Sequence, residues 1–277
     1  VKLPPPIPKE KGSPSVLKTI FTCKPLMLVV LMGILAMGRY LLQAGAIHVA
    51  RYSFYIGENL AAMTPMEAEK AIQASVSLVN TVFAVSTAAG MFGTMVFMPL
   101  LFKKFTYKQI VIAACLLGFV SGTAMFFIGY QNFWFCVPFL VLSSVPLGVL
   151  NIVSYAMVCD SLDYMEWSRG RRENGLGSAC QAFVNKLSNA LATSMIVLMY
   201  VIVQLDLSSI SGDFSPDPTQ LSHTVRQGMF SLVSIIPAVS MLLCIIPVLF
   251  YGLNTDKMKT ITADLAERRK ERGETIE

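Results

Sequence analysis

Apolar residues run along this chain in long unbroken blocks, not in the short alternations or three-and-four spacings of half-buried elements. Six blocks, residues 25–50, 77–102, 109–129, 133–158, 175–204 and 228–253, reach the length of about 20 residues that a helix needs to cross a bilayer. Four of them (77–102, 109–129, 133–158 and 228–253) hold no Asp, Glu, Lys or Arg. The pattern predicts an all-α polytopic membrane protein whose six transmembrane helices form one bundle over residues 25–253. Polar residues gather between and beyond the blocks. Residues 1–24, VKLPPPIPKEKGSPSVLKTIFTCK, are rich in Pro and Lys and read as an extended linker. The chain opens on Val1, as expected of a fragment or a processed product. TPMEAEKAI, with Thr64 before Pro65, predicts an N-capped amphipathic turn, and SGDFSPDPTQ a turn-rich loop. In residues 254–277 the spacing of Met258, Ile261 and Leu265 predicts an amphipathic tail, either on the inner membrane surface or as a solvated helix that only anchors the chain.

Composition adds an exclusion. The 277 residues are 54% hydrophobic and 14% charged, against roughly a quarter charged in soluble domains. The net charge of +5 is explained by where the basic residues fall. Seventeen Lys and Arg lie in the linker, 103–108, 161–173 and the tail; only Arg51, Lys70 and Arg226 lie in the loops that alternate with these. The positive-inside rule then places both termini in the cytoplasm and the basic segments against the anionic inner leaflet, with no nucleic acid required. Tyr52, Phe54, Tyr55, Phe133, Trp134, Tyr164 and Trp167 fall at interfacial depths in this frame. The six cysteines form no CxxC pair and read as small apolar packing residues, not as metal ligands or disulfides.

Two cations break the apolar blocks, and ionisable groups at membrane depth are costly and functional by default. Lys186 lies roughly 17 Å into the fifth block at the helical rise, and Arg39 is comparably deep in the first. Ser178, Gln181, Asn185, Lys186, Ser188 and Asn189 share about 160° of arc on the fifth helix. Val184, Leu187 and Leu191 lie opposite. Such a stripe faces protein or water, not lipid. No Asp or Glu lies inside any block. Two buried cations without a buried anion are not self-sufficient, so cavity water, a ligand or another polypeptide segment must supply the counter-charge. His48 reads as interfacial. For Arg39, snorkelling or pairing to helix carbonyls is the alternative.

The densest charge follows the fourth block: CDSLDYMEWSRGRRENG, residues 159–175. Asp160, Asp163 and Glu166 share one side of a helix end, where like charges repel and want cationic partners. Arg169, Arg171 and Arg172 are near enough to supply them, which suggests a salt-bridge cluster that holds one conformation shut. A solvated charged loop is the plainer alternative. This segment, with Gln181 and Lys186 and the LFKKF that ends the second block, resembles the D-x-x-D-Y-x-E…R signature of the glycoside–pentoside–hexuronide:cation symporters. These are the melibiose-carrier-like branch of the major facilitator superfamily.

The resemblance implies a twelve-helix transporter of which this chain is the C-terminal six-helix half, residues 1–24 being its central cytoplasmic loop. It implies that Lys186 lies between sugar and cation sites, that Gln181 belongs to the sugar site, and that Asp160, Asp163, Glu166 and Arg172 form the inner gating network. It implies partners too: an N-terminal six-helix half, a sugar or glycoside, and a monovalent cation. That ion (Na+, Li+ or H+) would be bound mainly outside this chain, with no other cofactor. Asn185 is more polar than that pattern leads one to expect, the second-block loop KKFTYKQ departs from it, and Arg39, which has no counterpart in it, is expected to help bind an anionic substrate such as a hexuronide or a sulfonated sugar. Two further readings stay open: a lipid carrier of the same fold, and a membrane enzyme holding a divalent metal on Asp160, Asp163 and Glu166.

Overall fold

The computed structural model describes residues 23–170, 174–205 and 217–271. Among them regular structure is entirely helical, and six units are long and apolar enough to span a membrane: Lys24–Ala44, Pro65–Lys104, Tyr107–Ile128, Phe133–Arg169, Gly175–Ile202 and His223–Phe250. The fold is therefore all-α and polytopic, as the apolar blocks predict. Most of residues 1–24, Arg171, Arg172, residues 206–216 and the last six residues lie outside the described residues.

Three of the spans are broken, which the block pattern does not predict. The first is α1 (Lys24–Leu35) and α2 (Gly38–Ala44), followed by α3 (Ala46–Tyr52). The second is a single helix, α4 (Pro65–Lys104), and the third is α5 (Tyr107–Ile128). The fourth is α6 (Phe133–Ser143) and α7 (Val145–Arg169), the fifth α8 (Asn174–Ile202), the sixth α9 (His223–Ser231) and α10 (Ile235–Phe250). The last two breaks come just before Pro146 and Pro237, rings that cannot accept a preceding helical turn. Backbone groups freed by a break in a dry environment must find partners. At the first break Ser240 of α10 provides them. Its hydroxyl accepts from Gly38 N at 2.8 Å and donates to Leu35 O at 2.6 Å.

Local chemistry sets the helix ends. Thr64 and Glu67 form a capping box for α4, with Pro65 at its first position. The predicted turn at TPMEAEKAI thus runs on without interruption into the second span. Thr106 and Gln109 do the same for α5 after a tight turn. α7 continues past its apolar part to Arg169 and stops at Gly170, whose left-handed φ of 73° is natural for glycine. The acidic run is therefore helix that extends beyond the apolar part of the span.

The first span lies centrally. α1 packs on α10, α8 and α7, and α2 on α8 and α10, while α5 packs on α10 and α4 on α6 and α7. Close approach relies on small residues, as helices in lipid require: a Cβ on Gly122 of α5 would lie 2.9 Å from both Ala238 Cβ and Ser234 O. One end of the bundle closes on an aromatic cluster from four spans, with Phe54 5.1 Å from Phe133 and 5.5 Å from Phe230 between ring centroids, and Phe83 6.1 Å from Phe133. Nearby, Arg226 donates to Ser53 O from Nε and Nη2 and stacks on Tyr130. At the opposite end α11 (Thr255–Glu271) docks on α7. Ile261 and Leu265 are buried there, and Trp167 Nε1 donates to Asp264 Oδ2 at 3.0 Å. The apolar face expected to meet the membrane surface meets protein instead.

Candidate functional site

The first break brings a charge and several amides together. Arg39, in the first turn of α2, is 4% exposed. Its Nη2 donates to Tyr40 Oη at 3.1 Å and to Asn185 Oδ1 at 3.3 Å, and its Nη1 lies 3.5 Å from Asn151 Oδ1. The Tyr40 hydroxyl donates to the same Asn185 oxygen at 3.0 Å, and the guanidinium carbon stands 4.7 Å from the centroid of the Tyr40 ring. Asn151 Nδ2 faces Met91 Sδ at 3.6 Å. One guanidinium thus links α2, α7 and α8 through neutral oxygens, and none of its hydrogen bonds runs to a carboxylate. Its Nε is buried without a hydrogen-bond partner.

Of the residues the sequence singles out, Arg39 and Asn185 are brought into contact. Gln181, one turn before Asn185, is buried. Lys186 is exposed within the chain and has no hydrogen-bond or ion-pair partner among the described residues. The polar stripe is split across two faces of α8. Gln181 and Ser188 turn into the bundle, Ser188 Oγ donating to Gly33 O at 3.0 Å, whereas Ser178, Lys186 and Asn189 stay exposed. Val184, placed opposite the stripe from sequence, is buried between them, because α8 packs against α1 along that line. α4 and α8 are the least buried spans, with 22% and 28% of their apolar windows covered. The uncovered part of α8 is mixed: it carries Ser178, Lys186 and Asn189 but also Phe183, Val197, Leu198, Val201 and Ile202, and the Lys186 ammonium there calls for a polar surrounding beyond this chain.

Tyr40 and Asn151 escape the reading of the sequence. A signal exists for each: Tyr40 is adjacent to a buried arginine, and Asn151 is a lone amide in an otherwise apolar block. His48, read as interfacial, is 2.6 Å from the Tyr200 hydroxyl and ties α3 to α8.

At the end of the bundle where α11 docks, Asp160 and Asp163 line a cavity of about 560 Å³ with Tyr107, Lys108, Tyr251 and Lys259. Glu166 is buried and does not line it. Among the described residues no three His, Cys, Asp or Glu gather as a metal site. Arg169 is exposed at the end of α7, and Arg172 lies outside the described residues.

Comparison with known proteins fits this architecture. Residues 9–255 match the profile of the family described as MFS/sugar transport protein. The inner membrane symporter YicJ of Escherichia coli is 30% identical over 149 residues, 53% of this chain and 30% of that protein. The uncharacterized symporter YjmB of Bacillus subtilis is 25% identical over 267 residues, 94% of this chain and 51% of that protein. A glucuronide carrier protein homolog of E. coli is 24% identical over 169 residues, 61% and 35% of the two chains. The chain thus spans about half, or less, of the length of these relatives. They are symporters and carriers, which sets the enzyme reading aside. A bundle of six membrane spans, matched over residues 9–255 to one profile, makes this chain a member of the MFS/sugar transport protein family.

Proposed function

We propose that this chain is the C-terminal half of a cation-coupled sugar symporter that works by alternating access. The observation that carries the reading is the network at the broken first span, where Arg39, Tyr40, Asn151 and Asn185 join three helices beside Gln181 and Lys186. Discontinuous helices at membrane depth are where transporters of this architecture bind substrate. Gln181, Asn185 and Lys186 would meet a glycoside, pentoside or hexuronide, with Arg39 behind them. A relative named as a glucuronide carrier homolog supports a sugar of this kind. The exposed Lys186, with Ser178 and Asn189 on the uncovered side of α8, supports an N-terminal six-helix half as partner, supplying the carboxylates that this chain lacks at membrane depth and most ligands of the Na+, Li+ or H+ that drives uptake.

Coupling is then a difference in affinity between outward- and inward-facing states. Cation and sugar together favour the occluded state, and Lys186 senses the cation through a carboxylate shared with the other half. Asp160, Asp163, Glu166 and Arg172 act at the inner end, where both termini lie in the cytoplasm, breaking and re-forming as the halves rock. The test is uptake of a labelled glycoside panel, with and without an imposed Na+ or H+ gradient, by cells making this chain joined to its other half. Gradient-driven accumulation that Lys186→Ala abolishes supports the symporter. No uptake of any sugar, or uptake indifferent to Lys186, rejects it and favours a lipid carrier.

A further inference from the structure

α4 and α5 follow one another in the chain through the tight turn at Phe105 and Thr106, yet they do not close on each other. Each packs on α6 and α7 instead. The gap between them is a cleft of about 400 Å³, floored by Val145 and Val149 of α7 and walled by Thr94 and Leu101 of α4 and by Ala113 and Leu117 of α5. It is open to the side, where Ala113 and Leu117 are exposed. The Thr94 hydroxyl donates to Gly90 O in its own helix at 2.6 Å. Nothing along these walls then asks for a hydrogen bond, and water gains little by entering.

Polarity returns only at the turn. The apolar blocks stop at residue 102 and resume at 109, so Lys103, Lys104 and Gln109 stand at the depth of lipid headgroups. Both lysines are exposed and form no ion pair among the described residues. Phe105 lines the cleft, and Lys104 Nζ lies 5.7 Å from the centroid of its ring. Gln109, also at the mouth, commits its Oε1 to the capping box, accepting from Thr106 N and Oγ1 at 3.1 Å each. Its Nε2 is left as a donor without a partner among the described residues. Lys108 is engaged elsewhere, donating to Leu249 O at 2.6 Å.

We propose that this cleft holds one acyl chain of a resident anionic phospholipid, whose phosphate is received by Lys103, Lys104 and the Gln109 amide. The chain covers apolar walls that no helix described here covers, and the phosphate answers the charge of the two lysines. The other half of a carrier is the rival occupant. α8, whose Lys186 calls for that half, packs on α1, α2, α7 and α9 and not closely on α4 or α5. The turn is part of KKFTYKQ, the stretch that departs from the family pattern, and lipid binding gives it a role.

Native mass spectrometry tests this on the complete carrier containing this chain, purified in mild detergent and offered phosphatidylglycerol or phosphatidylcholine with the same acyl chains. The wild type is expected to retain one phosphatidylglycerol more tightly than phosphatidylcholine, by about fivefold for each lysine engaged. Lys103→Gln with Lys104→Gln brings the two lipids level. Ala113→Trp, at an exposed position, fills the cleft and loses the tightly held lipid of either kind while both lysines remain. Lys257→Gln with Lys270→Gln, the same loss of charge on α11, leaves retention unchanged. Elution of each variant as a single species confirms its folding. Equal retention of the two lipids by the wild type, or a preference that survives loss of Lys103 and Lys104, overturns the proposal. Undiminished binding in Ala113→Trp also overturns it, since the lipid would then lie on the charged surface and not in the cleft. A wild type that retains no lipid overturns it as well, and marks the cleft as covered by protein. None of these outcomes bears on the sugar-carrier reading.

Discussion

Replacing Ser240 with Ala tests whether the break in the first span is held from outside. The Ser240 hydroxyl is the partner of both Gly38 N and Leu35 O, and at 3% exposure the site has no room for solvent to substitute. The neighbouring turn bonds do not compensate, since Met37 N goes to Ile34 O and Arg39 N to Ala36 O. A buried polar group left unmatched costs about 1–3 kcal/mol, and two of them are left here. Side-chain hydrogen bonds in membrane proteins average only about 0.6 kcal/mol, because the unfolded reference also finds partners. Backbone groups exposed by a fixed break have no such choice in the folded state, so the expected loss is about 2–4 kcal/mol. For a chain of this size that lowers Tm by roughly 5–15 °C. The protein carries its own probe. Cys23, Cys115, Cys136, Cys180 and Cys244 are buried and Cys159 is exposed, so a thiol-reactive dye reads Cys159 before heating and the rest on unfolding. Ser234→Ala is the control: Phe230 O, its acceptor, also receives Val233 N, and the cost should stay below about 1 kcal/mol. A Ser240→Ala protein that melts with the wild type, or with Ser234→Ala, would refute the reasoning.

Arg226→Ala removes two bonds to Ser53 O, at 3.2 and 2.9 Å, and a stack 4.3 Å above Tyr130; the same dye assay should show a loss of about 2–3 kcal/mol, with little recovery in Arg226→Lys. Gly122→Ala overpacks α5 against α10, where its Cβ would meet Ala238 Cβ at 2.9 Å, and should cost about 1–3 kcal/mol by the same measure. Asp264→Ala takes the acceptor from Trp167 Nε1 and should lower stability by only about 1 kcal/mol, yet speed tryptic cleavage at Arg268 and Lys270 as α11 detaches.

What the sequence reveals here is what lipid demands of it. Unbroken apolar blocks can only be spans, so six helices follow directly, and the deep cations stand out because nothing near them in the chain explains them. The breaks are harder to see. Gly33 and Gly38 lie in a run that is as apolar as any other, and what opens the first span is Ser240, two hundred residues away. Helical spacing groups the polar residues of α8 correctly on a wheel but not by environment. Which of them turn inward depends on the line along which α1 lies, and that line passes through Val184. The Arg39 cluster is legible in part. Its charge and Asn185 are evident, but Tyr40 and Asn151 become members only when α2, α7 and α8 meet. The tail shows its apolar stripe plainly, though a stripe cannot say whether it covers lipid or the end of α7.

The central claim is that the face bearing Asn185 and Lys186 binds sugar. Asn189, one turn further along α8, is exposed. Asn189→Cys therefore offers a thiol at the edge of that face, with native Cys159 as the internal reference. Alkylation rates of both thiols should be measured in membranes of the complete carrier, with and without a saturating sugar. The account predicts that a transported sugar slows labelling at position 189 several-fold and leaves Cys159 unchanged. Labelling at 189 that no sugar alters, in a carrier that still accumulates sugar, would place the binding site elsewhere.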